Sequence, residues 1–189
     1  MPFTPFDTAR LTIRPLADHD LEAFVGYRSD PEVVRYTGIR DFDLDRGRAM
    51  IAEMRDRDPG TPGTWYQFAL VRRDTGVLIG DCGLRTESAP HAGQTMEIGF
   101  TLATAHHRQG FGREAVLGVL GFAFGPLGAH RVFGNCDARN TASAALMASV
   151  GMRREAHHVE DWLLHGEWTS SLIFALLARE WREAHPTPG

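Results

Sequence analysis

Cysteine is scarce, with 2 residues, Cys82 and Cys136, in a chain of 189. Both stand in apolar, strand-like runs, which excludes a small scaffold held by disulfides and reads as buried, reduced thiols. Long hydrophobic runs are missing as well. No stretch reaches the roughly 20 apolar residues of a membrane-spanning helix. Met1 to Phe6 lacks the charged segment and apolar core of an export signal. A cytoplasmic protein with no membrane partner is expected. Positive charge is not in excess: 20 basic residues face 24 acidic ones, for a formal charge of -4. Bulk binding of nucleic acid, which needs a basic face, is therefore excluded. Gly-Lys-Ser/Thr is absent, and with it a Walker nucleotide loop. The pairs His106-His107 and His157-His158 do not build a metal site, because neighbours on a strand point to opposite faces and no cysteine or carboxylate completes a set. No metal is expected. What is present is 43% hydrophobic residues, enough for the core of one domain, expected over residues 1–181 with a disordered tail at 182–189.

Apolar spacing divides the chain into alternating element types. Residues 11–16 alternate like a strand and stop at Pro15, and Asp18-His19-Asp20 then supplies helix-start chemistry ahead of Leu21, Phe24 and Val25. Residues 31–36 predict a short second helix. A third, over 43–54, has helical spacing through Leu44, Met50, Ile51 and Met54 and ends in the turn-rich run 56–63. Two β-rich runs, 65–71 and 77–84, flank Asp74-Thr75-Gly76 as a hairpin, and a third strand follows at 96–102. A helix over about 110–124, a strand at 130–136 and a helix opened by Asn140 and closed at Gly151 come next. Strands at 153–164 and 168–177 complete the order β-α-α-β-β-β-α-β-α-β-β.

The densest chemical signal is His106-His107-Arg108-Gln109-Gly110-Phe111-Gly112-Arg113-Glu114-Ala115, a basic, glycine-punctuated loop running into a helix. Glycines let backbone N–H groups approach a ligand, and a helix start favours negative charge, so the loop reads as an anion cradle. Gly110-x-Gly112-x-x-Ala115 with Asp137 downstream imitates a dinucleotide fingerprint. Three features speak against that match. Four polar residues separate the glycines from the preceding strand, the earlier strands form a meander, and too little chain follows for a second mononucleotide half.

In their order and spacing, Glu97-Ile98-Gly99-Phe100, Gln109-Gly110-Phe111-Gly112-Arg113-Glu114-Ala115, Asn140-Thr141-Ala142-Ser143 and Gly151-Met152 resemble the GNAT N-acetyltransferases, and within them the RimJ/RimL-like group of ribosomal-protein N-terminal acetyltransferases. The resemblance spans nearly the whole chain. It implies an α/β fold of the α+β kind, the GNAT fold, with a mixed, mostly antiparallel sheet of about seven strands flanked by helices. It also implies acetyl-CoA as cosubstrate, with Phe100 and Leu102 on the pantetheine arm. His107, Arg108, Gln109, Gly110, Phe111, Gly112 and Arg113 are implied at the phosphates, with Asn140 and Ser143 opening the next helix. A homodimer is one assembly it implies. Two departures stand out: His107 replaces the usual Gln or Arg, and Met147 stands where many members have a Tyr acting as acid. Met cannot donate a proton, and members lacking that Tyr point to Ser143 instead.

Acetyl transfer to an amine needs a base, an oxyanion donor and an acid for the leaving thiolate. Glu97 is the first candidate base, directly or through water, and Glu160 the second. A strand N–H near Phe100 is the candidate oxyanion donor. An α-amine, with a pKa of about 8, is roughly a tenth neutral at pH 7, whereas a lysine amine near 10.4 is almost wholly protonated. That difference tilts the acceptor towards a peptide N-terminus. A small amine such as an antibiotic or polyamine, or acyl-CoA sensing without transfer, stays open. The acceptor side is expected from loops 36–40, 58–64, 87–95 and 157–168, with Trp65, Trp162 and Trp168 as candidate lining.

Overall fold

Leu11 and Ile13 alternate with Thr12 and Arg14, and the period of two sends both aliphatic side chains, fully buried, to one face of a strand. The same alternation recurs along the sheet, and the computed structural model describes it over residues 3–88 and 94–186. Eight strands form one sheet: β1 (Phe6–Asp7), β2 (Leu11–Pro15), β3 (Trp65–Arg72), β4 (Leu78–Thr86), β5 (Thr95–Leu102), β6 (Arg131–Asp137), β7 (Arg153–Leu164) and β8 (Glu167–Leu177). Their spatial order is β1-β2-β3-β4-β5-β6-β8-β7. The sheet has one more strand than the expected seven or so, because Phe6 and Asp7 pair with Ile13 and Thr12. Two residues are too few to show an alternation in sequence.

Helices cover both faces. On one side lie α1 (Leu21–Arg28), α2 (Pro31–Val34) and α3 (Leu44–Arg55); on the other lies α4 (Phe111–Phe124), with α5 (Thr141–Ser149) beside it and α6 (Ala178–Ala184) at the end. α4 is buried along Ala115, Val116, Val119, Leu120 and Ala123, against Phe68, Leu70 and Leu84 of the sheet. α1 and α3 bring Phe24, Tyr27 and Ile51 onto Ala69, Val71 and Leu78, on the opposite face. Helix starts follow their caps. Asp43 Oδ1 accepts from the Arg46 N–H and Asn140 Oδ1 from the Ser143 N–H, as the sequence predicts for Asn140. α6 continues through the first three residues of the expected disordered tail, its start held by Glu180 accepting the Leu177 N–H at 2.8 Å. The onset of any tail is corrected to beyond Ala184; residues 187–189 lie outside the described residues.

The order of strands places one parallel pair in the middle. β5 and β6 are joined by α4, since parallel neighbours require a crossover. They pair only over Thr95↔Arg131, Met96↔Val132 and Glu97↔Phe133. Just past that point stands Gly134. A Cβ there would lie 2.6 Å from the Met147 sulfur, so Met147, buried and on α5, packs directly on the strand where the two part.

Candidate active site

Beyond Glu97 the two central strands diverge, while β4 still pairs with β5 as far as Leu102. One edge of residues 98–102 therefore turns its backbone N–H and C=O groups to an opening rather than to a neighbour. An extended ligand with amide groups can pair there in the manner of an added strand. A cavity of about 570 Å³ fills the split, within the range of small-molecule sites. Its lining comes from both faces of the sheet: Glu97, Gly99 and Thr101 from one, Ile98 and Phe100 from the other, with Asn140, Ser143 and Met147 across the gap. The split thus opens a passage between the α1–α3 side and the α4–α5 side.

On the α4 side lies the loop expected to cradle an anion, and its backbone turns sharply at the helix start. Gly110 has φ 82, a left-handed value that a side chain resists, and caps α4; Arg108 is left-handed too, at φ 58. The first intrahelical bond runs from the Glu114 N–H to the Gly110 carbonyl, 3.1 Å. The N–H groups of Phe111, Gly112 and Arg113 precede it and point off the positive end of the helix. Side chains brace this loop. His107 Nε2 donates to the Leu102 carbonyl at 2.9 Å, Gln109 Nε2 to that of Ala105 at 2.8 Å and Arg113 Nε to that of Ser149 at 3.3 Å. The Phe111 ring is buried, with the Arg10 guanidinium 4.3 Å from its centre, so Phe111 offers its backbone alone. Replacing a Gln or Arg by His107 leaves the cradle intact because this residue's hydrogen bond closes the loop onto β5.

Glu97 projects into the cavity, half-buried, with Arg85 Nη2 donating to its Oε2 at 2.6 Å. Burial pushes its carboxyl above the ordinary value; Arg85 works against that, and the neighbouring Glu87 charge adds to it. Ser143 lines the cavity across the split, its N–H fixed by Asn140 at 3.0 Å. Cys136 lies beside it, where burial pushes the thiol up against the lowering contact with Ser143, which disfavours a reactive thiolate. Glu160 is not brought to this cluster. It sits exposed on the irregular stretch of β7, at φ 49, with its N–H donating to Ser170 Oγ, and does not line the cavity. Of the segments expected on the acceptor side, Tyr36 to Ile39, Trp65, Trp162 and Leu164 line the cavity, whereas Trp168 and loop 58–64 do not. Part of loop 87–95, residues 89–93, lies outside the described residues.

Residues 10–153 match the family model of the acetyltransferase (GNAT) domain. The chain belongs to the GNAT acetyltransferases. A Bacillus licheniformis protein named uncharacterized N-acetyltransferase p20 is 30% identical over 175 residues, covering 92% of this chain and 96% of its own. A GNAT-family acetyltransferase from Bacillus anthracis superposes with a TM-score of 0.81 at 25% identity, over 94% of this chain and all of its own. Spermidine N-acetyltransferase from Vibrio cholerae, solved with CoA and spermine, shares the fold at a TM-score of 0.78 and 18% identity, over 92% and 99% of the two chains. GNAT domains bind acetyl-CoA, and the residues present fit it: a left-handed glycine at the start of α4, the first N–H groups of that helix, and an edge of β5 left open where β6 departs.

Three parts of this GNAT site were not legible in the sequence. Glu114 is one, accepting from Thr8 Oγ1 and the Arg10 N–H, both 2.6 Å, and from Arg10 Nε at 2.7 Å. Burial alone would raise its carboxyl; these donors outweigh it and hold it below the ordinary value. Arg10 Nη1 also donates to the Gln109 carbonyl, so the chain start clamps the cradle. Another is the buried pair Arg28 and Asp81, both on the cavity wall. The last is Asp137, whose carboxyl Arg139 holds below the ordinary value, with burial opposing. Each needs partners 2 to 106 residues apart in sequence, and only the fold brings the distant ones together.

Proposed function

We propose that this acetyltransferase moves the acetyl group of acetyl-CoA directly to a primary amine in a ternary complex, the acceptor being the N-terminal α-amine of a protein or peptide. The observation that carries the reading is the half-buried Glu97 carboxylate at the mouth of the β5–β6 split, in one cavity with Ser143 and the free edge of β5. Bound there, acetyl-CoA supplies an activated thioester. Residues 98–102, chiefly Phe100 and Leu102, hold its extended arm through backbone groups, and residues 107–113 with Asn140 hold its phosphates. Glu97 takes the proton of the acceptor ammonium, directly or through a water. Its raised pKa brings it closer to the pH at which it works, which is where a general base is most effective. A β5 N–H near Phe100 donates to the acetyl oxygen as negative charge gathers on it. Ser143 donates a proton to the departing sulfur, the part that Met147 cannot play. Holding amine and thioester in one passage supplies much of the rate.

The modest strength of a single carboxylate base supports the α-amine, which needs less help to lose its proton than a lysine or polyamine amine. The resemblance to ribosomal-protein N-terminal acetyltransferases supports it too. Met147 favours one competing reading, in which the domain binds acyl-CoA without transfer. Calorimetry with acetyl-CoA and thiol release with a panel of amino-terminal peptides and small amines separate them. Binding with release on peptides is expected. Absence of binding overturns the proposal, and binding without release on any amine leaves the sensor.

A further inference from the structure

We infer that Arg28 determines acceptor specificity by recognising a carbonyl oxygen about 10 Å from the reacting amine, which selects an extended peptide over a bare alkyl amine. The inference rests on the acetyl-transfer reading above and deepens it on the acceptor side.

Register lays out the cavity floor. Trp65 lies opposite Arg85 and Gln67 opposite Gly83 on β3 and β4; Arg85 lies opposite Glu97, Gly83 opposite Gly99 and Asp81 opposite Thr101 on β4 and β5. Alternation puts these side chains on one face, and Trp65, Gln67, Asp81, Glu97 and Thr101 all line the cavity. Glu97 marks one end of this slot and Asp81 the other. Four residues of strand, roughly 13 Å, separate Glu97 from the position opposite Asp81. Between them is Gly99, which presents no side chain, with the Trp65 ring 3.4 Å from where a Cβ would stand. The floor is therefore flat and partly aromatic.

Arg28 closes the far end from above. It is 7% exposed and lies on α1 with its guanidinium over the Phe24 ring, 5.0 Å from the centre. Nε donates to Asp81 Oδ1 at 3.2 Å and Nη2 to Oδ2, while the Tyr27 hydroxyl donates to Oδ1 at 2.7 Å. Asp81 is consumed by these three donors and offers little to a ligand amine. The clamp uses Nε and Nη2 and leaves Nη1 outside it, on a side chain that itself lines the cavity. The guanidinium cannot be deprotonated, and its rotation is blocked by Asp81, so the wall presents a fixed donor. With the amine at Glu97, a chain of about three residues at up to 3.5 Å each reaches that donor with a backbone carbonyl. A polyamine would bring a cation to the same place with no oxygen to accept.

The test uses the full-length protein, acetyl-CoA and thiol release on alanine amides of one, two and three residues, on the three-residue peptide acid, and on a linear diamine as long as the tripeptide. Wild type is expected to gain about tenfold or more in kcat/KM between the one- and three-residue amides, and to prefer the latter to the diamine by a similar factor, as a charged hydrogen bond in a desolvated site supports. Arg28→Lys keeps a cation for Asp81 but loses the planar fork, and is expected to compress both ratios. A peptide acid better than the amide keeps Arg28 as the reader and assigns the oxygen to a terminal carboxylate. A wild-type series that is flat in kcat/KM overturns the inference, as does an Arg28→Lys variant in which every acceptor falls by one factor, since that is a structural role. If the variant does not fold, the wild-type series decides alone. Absence of thiol release with every acceptor defeats the acetyl-transfer reading itself and takes this inference with it, an outcome distinct from turnover without preference.

Discussion

Glu97 stands where burial and an arginine pull in opposite directions, and burial prevails. Glu97→Gln is expected to lower kcat by about 10²-fold or more, the scale of a general base, with acetyl-CoA affinity by calorimetry nearly unchanged. Its raised pKa fixes a sign. The folded state binds the proton more tightly than the unfolded chain, so ionising Glu97 detracts from stability as pH rises from the ordinary value of 4.5 through the folded one. Glu97→Gln should accordingly melt no lower than wild type at neutral pH, which assigns lost turnover to chemistry. Activity follows the opposite sense: in the proposed role Glu97 must be ionised, so kcat/KM is expected to fall as pH drops along an acid limb that lies above the ordinary value of Glu97. Arg85→Gln removes the cation that favours the ionised form and should move that limb to higher pH. A limb that moves down or stays in place contradicts the role given to Arg85. Glu97 was legible because it sits in a local motif; Arg85, 12 residues away, was not, since only the β4–β5 register sets it opposite.

At the scale of elements, two helix starts border the side proposed for acetyl-CoA. Gly110→Ala puts a Cβ on a left-handed residue 3.2 Å from Arg10 Nη2. A cost of about 1–2 kcal/mol is expected, with weaker acetyl-CoA binding by calorimetry as the loop shifts. Asn140→Ala removes the α5 cap and should cost about 1 kcal/mol, a fall in melting temperature of roughly 2–4 °C for a chain of this size. Both positions were readable in advance, because capping and left-handed turns are local chemistry. The short β1, the irregular β7 that carries Glu160 outward and the continuation into α6 were not. β1 is too short to show a pattern, and all three depend on partners outside their own segment, through Ile13, Ser170 and Arg153.

Across the whole molecule, one eight-stranded sheet carries both layers of helix, so the two halves, a hydrophobic cluster on each face, are joined by the same strands. Phe68 is fully buried beneath α4, and Phe68→Ala is expected to cost about 3–5 kcal/mol while leaving urea unfolding a single transition. Two separated transitions would show that the halves fold independently. All 20 basic side chains are arginine, so no lysine of the protein itself competes as an acetyl acceptor in thiol-release assays. Period, caps, turns and the glycine loop determined from the sequence alone the element order, the fold class and the place of the left-handed glycine turn proposed to cradle phosphate, because each is set by residues within a few positions of one another. The tertiary structure decided the rest. It ended the β5–β6 pairing after three residues, set Met147 against Gly134, left Glu160 outside and joined Arg28 to Asp81 across 53 residues. Those outcomes depend on where packed elements meet, and a pattern of neighbours along the chain carries no record of that.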